Sequence, residues 1–180
     1  MAGLNVVGLS GSLREKSYNT ALREAARLAP AGMTIDIASI RDIPLYDADV
    51  EARGFPAAVE VLSEQVKQAD ALLIATPEYN LSMPGVLKNV IEWLSRPPRD
   101  AVLVRKPVAI MGAGGRLGSA RAQYHLRQVC ACLGMLLLPR PEVFILAAWE
   151  KFSAEGRINN AADEKQIRDR SRRSPTGPIC

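Results

Sequence analysis

The stretch "GLSGSLREKSYNTALREAA", residues 8–26, leaves a short apolar segment, passes a glycine-pinched turn and enters a helical pattern. A turn of this kind is where strand–loop–helix folds hold phosphate. Backbone N–H groups at the helix start point at an anion, and glycine lets the main chain approach it. The letters match neither G-x-G-x-x-G nor G-x-x-x-x-G-K-[ST], the fingerprints of dinucleotide and triphosphate loops. Ser12, Ser17 and Asn19 offer hydrogen bonds, and Arg14 offers a guanidinium fork suited to a terminal phosphate. There is no Lys–Thr pair for a magnesium-bound triphosphate, and no evident acidic residue at a ribose position after the second apolar run. A monophosphate ester is the simplest occupant. Taken singly, Ser12, Ser17 and Asn19 serve equally well as helix caps.

Working outward, apolar β-rich runs occur at Leu4–Leu9, Met33–Ile40, Ala71–Thr76, Pro107–Met111 and Met135–Leu138, the last extended by Val143–Leu146. Helical patterns lie between them at 19–29, 57–69, 85–95 and 119–133. Runs such as "ALLIA" and "MLLL" have no polar alternation, which fits strands covered on both faces of a parallel sheet. Strand–helix alternation in 180 residues predicts one doubly wound, three-layer α/β domain. Met83, Val86, Leu87, Val90, Ile91 and Leu94 form one apolar helix stripe, with Pro84 suited to a first turn. Leu126, Val129, Cys130 and Leu133 form another.

Such sheets bind ligands beyond the carboxyl ends of their strands, where the strand order reverses. In the order 2-1-3-4-5, strands one, three and four are neighbours around that point, so the loops that follow them face one pocket. The second loop, Thr76 to Gly85, has Pro77, Glu78, Tyr79 and Asn80 in a stiff, partly aromatic turn that could edge a flat heterocycle. The third has glycine at four of the seven positions from Gly112 to Gly118, and brings main chain close to whatever it faces.

Composition narrows the function further. The +4 net charge belongs to the end of the chain: five of the 23 basic residues and one of the 19 acidic residues lie beyond residue 164, leaving 1–164 formally neutral. A solvated tail, and no nucleic-acid partner, is the expectation. Three cysteines and one histidine supply neither a disulfide framework nor a metal site. No apolar run approaches the roughly 20 residues of a membrane helix, and no basic-then-apolar leader opens the chain. A cytoplasmic protein without a membrane partner is expected.

"GSLREKSYN", "TPEYNLSMPGVLKNVIEWLSRP" and the run Gly118-Ser119-Ala120-Arg121-Ala122-Gln123-Tyr124-His125-Leu126-Arg127 resemble the NAD(P)H-dependent FMN reductase family, nearest its bacterial quinone and chromate reductases. The resemblance spans residues 4 to 147. It implies a flavodoxin-like three-layer α/β/α sandwich with a five-stranded parallel sheet in the order 2-1-3-4-5. It also implies bound FMN, NADPH or NADH as co-substrate, and a homodimer or homotetramer. Carried onto matching positions, Ser12, Arg14, Ser17 and Asn19 would hold the FMN phosphate. Pro77, Glu78, Tyr79 and Asn80 would border the ribityl chain and isoalloxazine, and Gly112, Ala113 and Gly114 would line its other edge.

Flavin chemistry would also account for the absence of an evident catalytic side chain, so none is assigned. The expected reaction is ping-pong hydride transfer from NAD(P)H through FMN to a small acceptor: quinone, azo dye, free flavin or a metal oxyanion such as chromate. Arg116 is one candidate contact to a 2′-phosphate. The rival reading is a flavodoxin-type electron carrier without its own small-molecule acceptor; the neutral body and Arg14 count against it. His125 with Arg121, Gln128 and Cys132, and Trp93 with Asn89 and Arg96, lie on helix faces away from the apolar stripes, which suggests subunit interfaces. Towards the end, Ile158, Ala161, Ala162 and Ile167 predict a shortened last helix, with the domain closing at residue 170 and a polar, disordered tail over 171–180.

Overall fold

Side chains alternate along each central strand, and the alternation sorts the core into two halves. A computed structural model describes residues 3–97, 101–153 and 155–172. On β1 (Leu4–Ser10), β3 (Ala71–Ala75) and β4 (Pro107–Ala113), one face carries Val7, Leu9, Leu72, Ile74, Val108 and Ile110. The opposite face carries Val6, Ala71, Leu73, Ala75, Met111 and Ala113. A strand with period-two side chains, apolar on both sides, must be covered on both sides.

The first face is covered by α3 (Ala57–Gln68), α4 (Gly85–Leu94) and α5 (Ala120–Cys132). Helical spacing puts Val59, Leu62 and Val66 of α3 inside, together with Leu87, Val90, Ile91 and Leu94 of α4. Each such side chain contributes on the order of 1.5–3 kcal/mol by leaving water. The second face is covered by α1 (Ala21–Arg27), which follows a 3₁₀ turn at Tyr18–Thr20, by the short α6 (Ala148–Lys151), and by α7 (Ala161–Arg172).

The sheet is parallel, with β2 (Met33–Ala38) at one edge and the order β2-β1-β3-β4-β5, as the sequence predicts. The second strand ends at Ala38, two residues short of the expected Ile40. The fifth position is divided. β5 (Leu136–Leu137) pairs with the start of β4, and β6 (Val143–Ile145) pairs with its end, so Val143–Leu146 forms a separate strand and not an extension. Pro139 and Pro141 lie between them and have no N–H to give a ladder.

Trp93 and Asn89, expected at a subunit interface, are covered by the chain itself. The segment leading into α2 (Ala48–Glu51) crosses their face of α4. Trp93 Nε1 and Asn89 Nδ2 both donate to Pro44 O, at 2.9 and 2.8 Å, and Asn89 Oδ1 accepts from Tyr46 N at 2.7 Å. Tyr46 and Phe55 pack edge-on against the Trp93 ring, which is 1% exposed. A loop 43 to 49 residues away in sequence supplies the cover.

The last helix is anchored by Ile158 and Ile167, both buried, whereas Ala161 and Ala162 are exposed. Asn160 Oδ1 accepts from Ala162 N and Asp163 N and caps the start of α7. The helix continues to Arg172, past the expected boundary at residue 170, and the remainder of the 171–180 segment, from residue 173, lies outside the described residues.

Candidate cofactor site

Backbone hydrogen bonds draw the loops after β1, β3 and β4 into one cluster. Gly11 N donates to Ala75 O at 2.8 Å and ties the first loop to the end of β3. A Cβ on Gly11 would lie 3.1 Å from Leu87 Cδ2 and 3.2 Å from Pro77 Cδ, so only the smallest residue passes without displacing them. Thr76 N donates to Met111 O at 3.0 Å, which joins the second loop to the third. Ala113 N, 3.4 Å from Asn19 Oδ1, closes the circle between the third loop and the first.

In the first loop, the hydroxyls fold the backbone on itself. Ser12 Oγ accepts from Arg14 N and Ser17 Oγ from Asn19 N, at 3.3 and 3.2 Å. Both contacts are local turns of the loop backbone, Ser12 having no helix directly after it to cap, and each hydroxyl keeps its own hydrogen to donate. Ser17 and Asn19 are buried; Ser12 is half-buried. Arg14 packs over the Tyr18 ring at 5.4 Å and donates to Lys16 O at 2.8 Å. Ser12, Arg14, Ser17 and Asn19 border one open cavity of about 450 Å³.

The second loop is a tight reversal. Tyr79 and Ser82 exchange backbone hydrogen bonds of 3.0 Å around Asn80 and Leu81, whose φ angles are +49° and +67°. Two successive positive φ values describe the primed turn that normally takes Asn-Gly. Leucine at the second position is a strained choice, and it leaves Leu81 half-exposed beside exposed Tyr79. Pro77 is buried at the base of the loop.

Glu78 has a structural engagement. Its carboxylate accepts from Arg121 N (3.0 Å), Ala122 N (3.3 Å) and Arg121 Nε (2.6 Å), so it caps the start of α5 and pairs with Arg121. Burial opposes ionisation of Glu78, but these hydrogen bonds and the Arg121 charge outweigh it and hold the carboxyl below its ordinary value. The pair is separated by 43 residues and has no local signature. Arg121 stands within the sequence motif, yet its partner could not be read there. His125 Nδ1 lies 2.9 Å from Ser82 Oγ and adds a second brace from α5 to this loop. His125, Arg121, Gln128 and Cys132 are all exposed on α5.

In the third loop Gly112 and Ala113 are buried and Gly114 is half-buried. A side chain on Gly112 would run into Ser119 Oγ and into Thr76 O, so this glycine lets β4 press against the second loop and α5. Gly118 (φ +54°) and Ser119 (φ +68°) bend the chain into α5, and a Cβ on Gly118 would lie 2.8 Å from Phe144 C. Sequence reasoning missed Gln123, a fully buried amide whose Nε2 donates to Val143 O at 3.0 Å and fixes this junction. Its signal was a polar residue beside the apolar stripe of α5.

A doubly wound parallel sheet with three main-chain-rich loops joined at the switch point defines a flavodoxin-like nucleotide-binding protein. The comparisons then narrow the class. Residues 4–150 match the model of the NADPH-dependent FMN reductase family. The chain is 57% identical over 157 residues to an NAD(P)H-dependent FMN reductase of Pseudomonas aeruginosa, covering 86% of this chain and 84% of that protein. It is 52% identical over 143 residues to a quinone reductase of Escherichia coli, covering 77% and 76%. The solved structure of FerB, a flavoenzyme NAD(P)H:(acceptor) oxidoreductase from Paracoccus denitrificans, superimposes with a TM-score of 0.82 at 31% identity over 93% of each chain. The chain belongs to the NADPH-dependent FMN reductase family.

The residues present fit the flavin nucleotide the family uses. Hydroxyl hydrogens, a buried amide and a guanidinium border a cavity open enough for a phosphate ester. Among the described residues Arg14 has no carboxylate within ion-pair distance. No group of histidine, cysteine or carboxylate residues among them could hold a metal ion. No helix among them is long and apolar enough to cross a membrane.

Proposed function

We propose that this chain is an FMN-dependent oxidoreductase that moves hydride from NADPH or NADH to small acceptors: quinones, azo dyes, free flavin or metal oxyanions such as chromate. The observation that carries the reading is that hydrogen bonds join the three loops at the carboxyl ends of β1, β3 and β4, with phosphate-binding chemistry bordering a cavity on the first. Ser12, Arg14, Ser17 and Asn19 hold the FMN phosphate. Pro77, Glu78, Tyr79 and Asn80 border the ribityl chain and ring, and Gly112, Ala113 and Gly114 line the other edge. When bound, FMN supplies the two-electron chemistry. The chain positions it. Main-chain N–H groups of the second and third loops offer donors to the ring's polar edge, and Arg14 balances the phosphate charge. Glu78 acts through Arg121 and α5, fixing the loop whose backbone the ring meets.

The natural assembly in this reading is a homodimer or homotetramer. Exposed Tyr79, Leu81, Leu117 and Tyr124 lie on the second loop, the third loop and α5, and a second copy would remove them from water. Sedimentation at micromolar concentration should show a dimer or larger, and monomer alone rejects this part.

The test of function starts from the absorption spectrum. Purified protein offered FMN should retain it through desalting, bleach within seconds on anaerobic NADPH or NADH, and regain colour with a quinone. Initial rates against both substrates should give parallel double-reciprocal lines. Failure to bleach with either nucleotide rejects the reading.

A further inference from the structure

The cavity beside the first loop is larger than one phosphate group requires, and its far wall does not belong to the flavin loops. Its volume of about 450 Å³ lies in the roughly 300–1,000 Å³ range that takes a drug-sized ligand. Ser12 and Arg14 stand on the near wall; Ile37, Ser39 and Arg41, from the end of β2 and the loop after it, stand on the far one. Arg41 Nη2 donates to Leu13 O at 2.7 Å, which fixes one arm of its fork at the seam between the two walls. Its backbone N donates to Ser39 Oγ at 3.3 Å, so the hydroxyl and the guanidinium belong to one turn. Among the described residues Arg41, like Arg14, has no carboxylate within ion-pair distance. Among the described residues Glu15 is the one acidic side chain on the cavity wall.

In the Rossmann type of doubly wound sheet, whose glycine fingerprint this chain lacks, a residue past the second strand reads the ribose of a dinucleotide. A carboxylate there accepts from a 2′-hydroxyl, whereas an arginine accommodates a 2′-phosphate. Here those positions are Ser39-Ile40-Arg41. We propose that this cavity seats the 2′-phosphoadenosine end of NADPH, with Arg41 and Ser39 gripping the 2′-phosphate, so that Arg41 sets the preference for NADPH over NADH. The proposal rests on the reading of the chain as a nicotinamide-nucleotide-dependent flavin reductase. Half-exposed Ile37 offers the adenine an apolar surface. In the strand order, β2 lies two positions from β3 and three from β4. At about 4.8 Å per strand the span is roughly 10–15 Å, which an extended dinucleotide bridges from a nicotinamide over the second and third loops to an adenosine at β2.

Two measurements on the FMN-loaded protein test this. Calorimetric titration of the wild type with adenosine 2′,5′-bisphosphate and with 5′-AMP, which differ only in the 2′-phosphate, should show the bisphosphate binding at least about tenfold tighter, the lower end for charge-assisted contacts. Arg41→Ala should remove that difference and lower the ratio of kcat/KM for NADPH over NADH by about 10- to 100-fold, and Arg41→Lys should keep part of it. Equal wild-type affinity for the two adenosine phosphates overturns the proposal without needing any variant. A ratio that moves with Arg116→Ala and not with Arg41→Ala transfers the role to the third loop and overturns it too. Weaker FMN uptake by Arg41→Ala with equal losses for both nucleotides would mean that the flavin's own phosphate meets Arg41, again overturning it. A wild type that takes up no FMN, or is reduced by neither nucleotide, defeats the parent reading instead.

Discussion

Gly112 has no room for a methyl group, because the carbonyl oxygen of Thr76 would lie 2.5 Å from its Cβ. The Ser119 hydroxyl can rotate away, but a backbone carbonyl cannot. Gly112→Ala should therefore destabilise the protein by about 1–3 kcal/mol, read as a lower urea midpoint, and should weaken FMN uptake by parting the second and third loops. Glu78 makes a prediction in pH. An unfolded glutamate titrates near 4.5, and the folded value is lower. Between the two the unfolded chain binds more protons, so the stabilisation is complete above the unfolded value and is lost as pH falls through the folded one. Urea midpoints of Glu78→Gln should vary less with pH than wild type in that acid window, and an unchanged slope contradicts the brace. The cysteines divide sharply. Burial pushes the Cys130 thiol up to about 11, against the opposing charge of Arg127, while Cys132 is exposed. Since the thiolate is the nucleophile, iodoacetamide at neutral pH should modify Cys132 in the native protein and Cys130 only after unfolding, as peptide mapping will show.

Single elements differ in how openly they announce themselves. β1, β3 and β4 are visible as apolar runs because a strand buried on both faces leaves no polar alternation. α4 is visible because its apolar positions follow the helical period. Trp93 misled for the same reason. Periodicity identifies the face turned to the sheet, and it is silent about a second face covered by a distant loop. Asn89 is the hinge of that arrangement, bridging Pro44 O and Tyr46 N. Asn89→Ala should cost about 2 kcal/mol, as expected for breaking two buried hydrogen bonds, and should shift Trp93 emission to the red as the segment lifts. The four-residue α2 and α6 lie below the length at which a pattern can be counted, and β5 keeps only two residues of the apolar run Met135–Leu138. Their positions are set by caps such as Asp47, whose side chain accepts from Asp49 N, and by pairing with β4. In the candidate site, the donor groups of the first loop were legible from composition, since serine, asparagine and arginine around glycine carry their chemistry in their names. The Glu78–Arg121 brace and the Arg41 wall were not, because each joins segments that only the folded chain brings together.

At the scale of the whole molecule, the three loops are tied to one another and to both helical layers, so a ligand that grips all three holds the fold. FMN at about 100 times its dissociation constant should add about 2.7 kcal/mol and raise the melting midpoint by about 5–10 °C, followed by circular dichroism; an unmoved midpoint would count against a shared pocket. The divided fifth strand has a consequence of another kind. An open sheet normally invites a foreign strand along its last ladder. Here that margin is a two-residue rung, a stretch with Pro139 and Pro141, and a three-residue rung, so no continuous row of donors is left for a stray chain to zip onto. Should crowding ever drive this protein toward fibrils, the seam will open along Met33–Ala38 at the other margin, and lysine placed outward there is the cheapest guard.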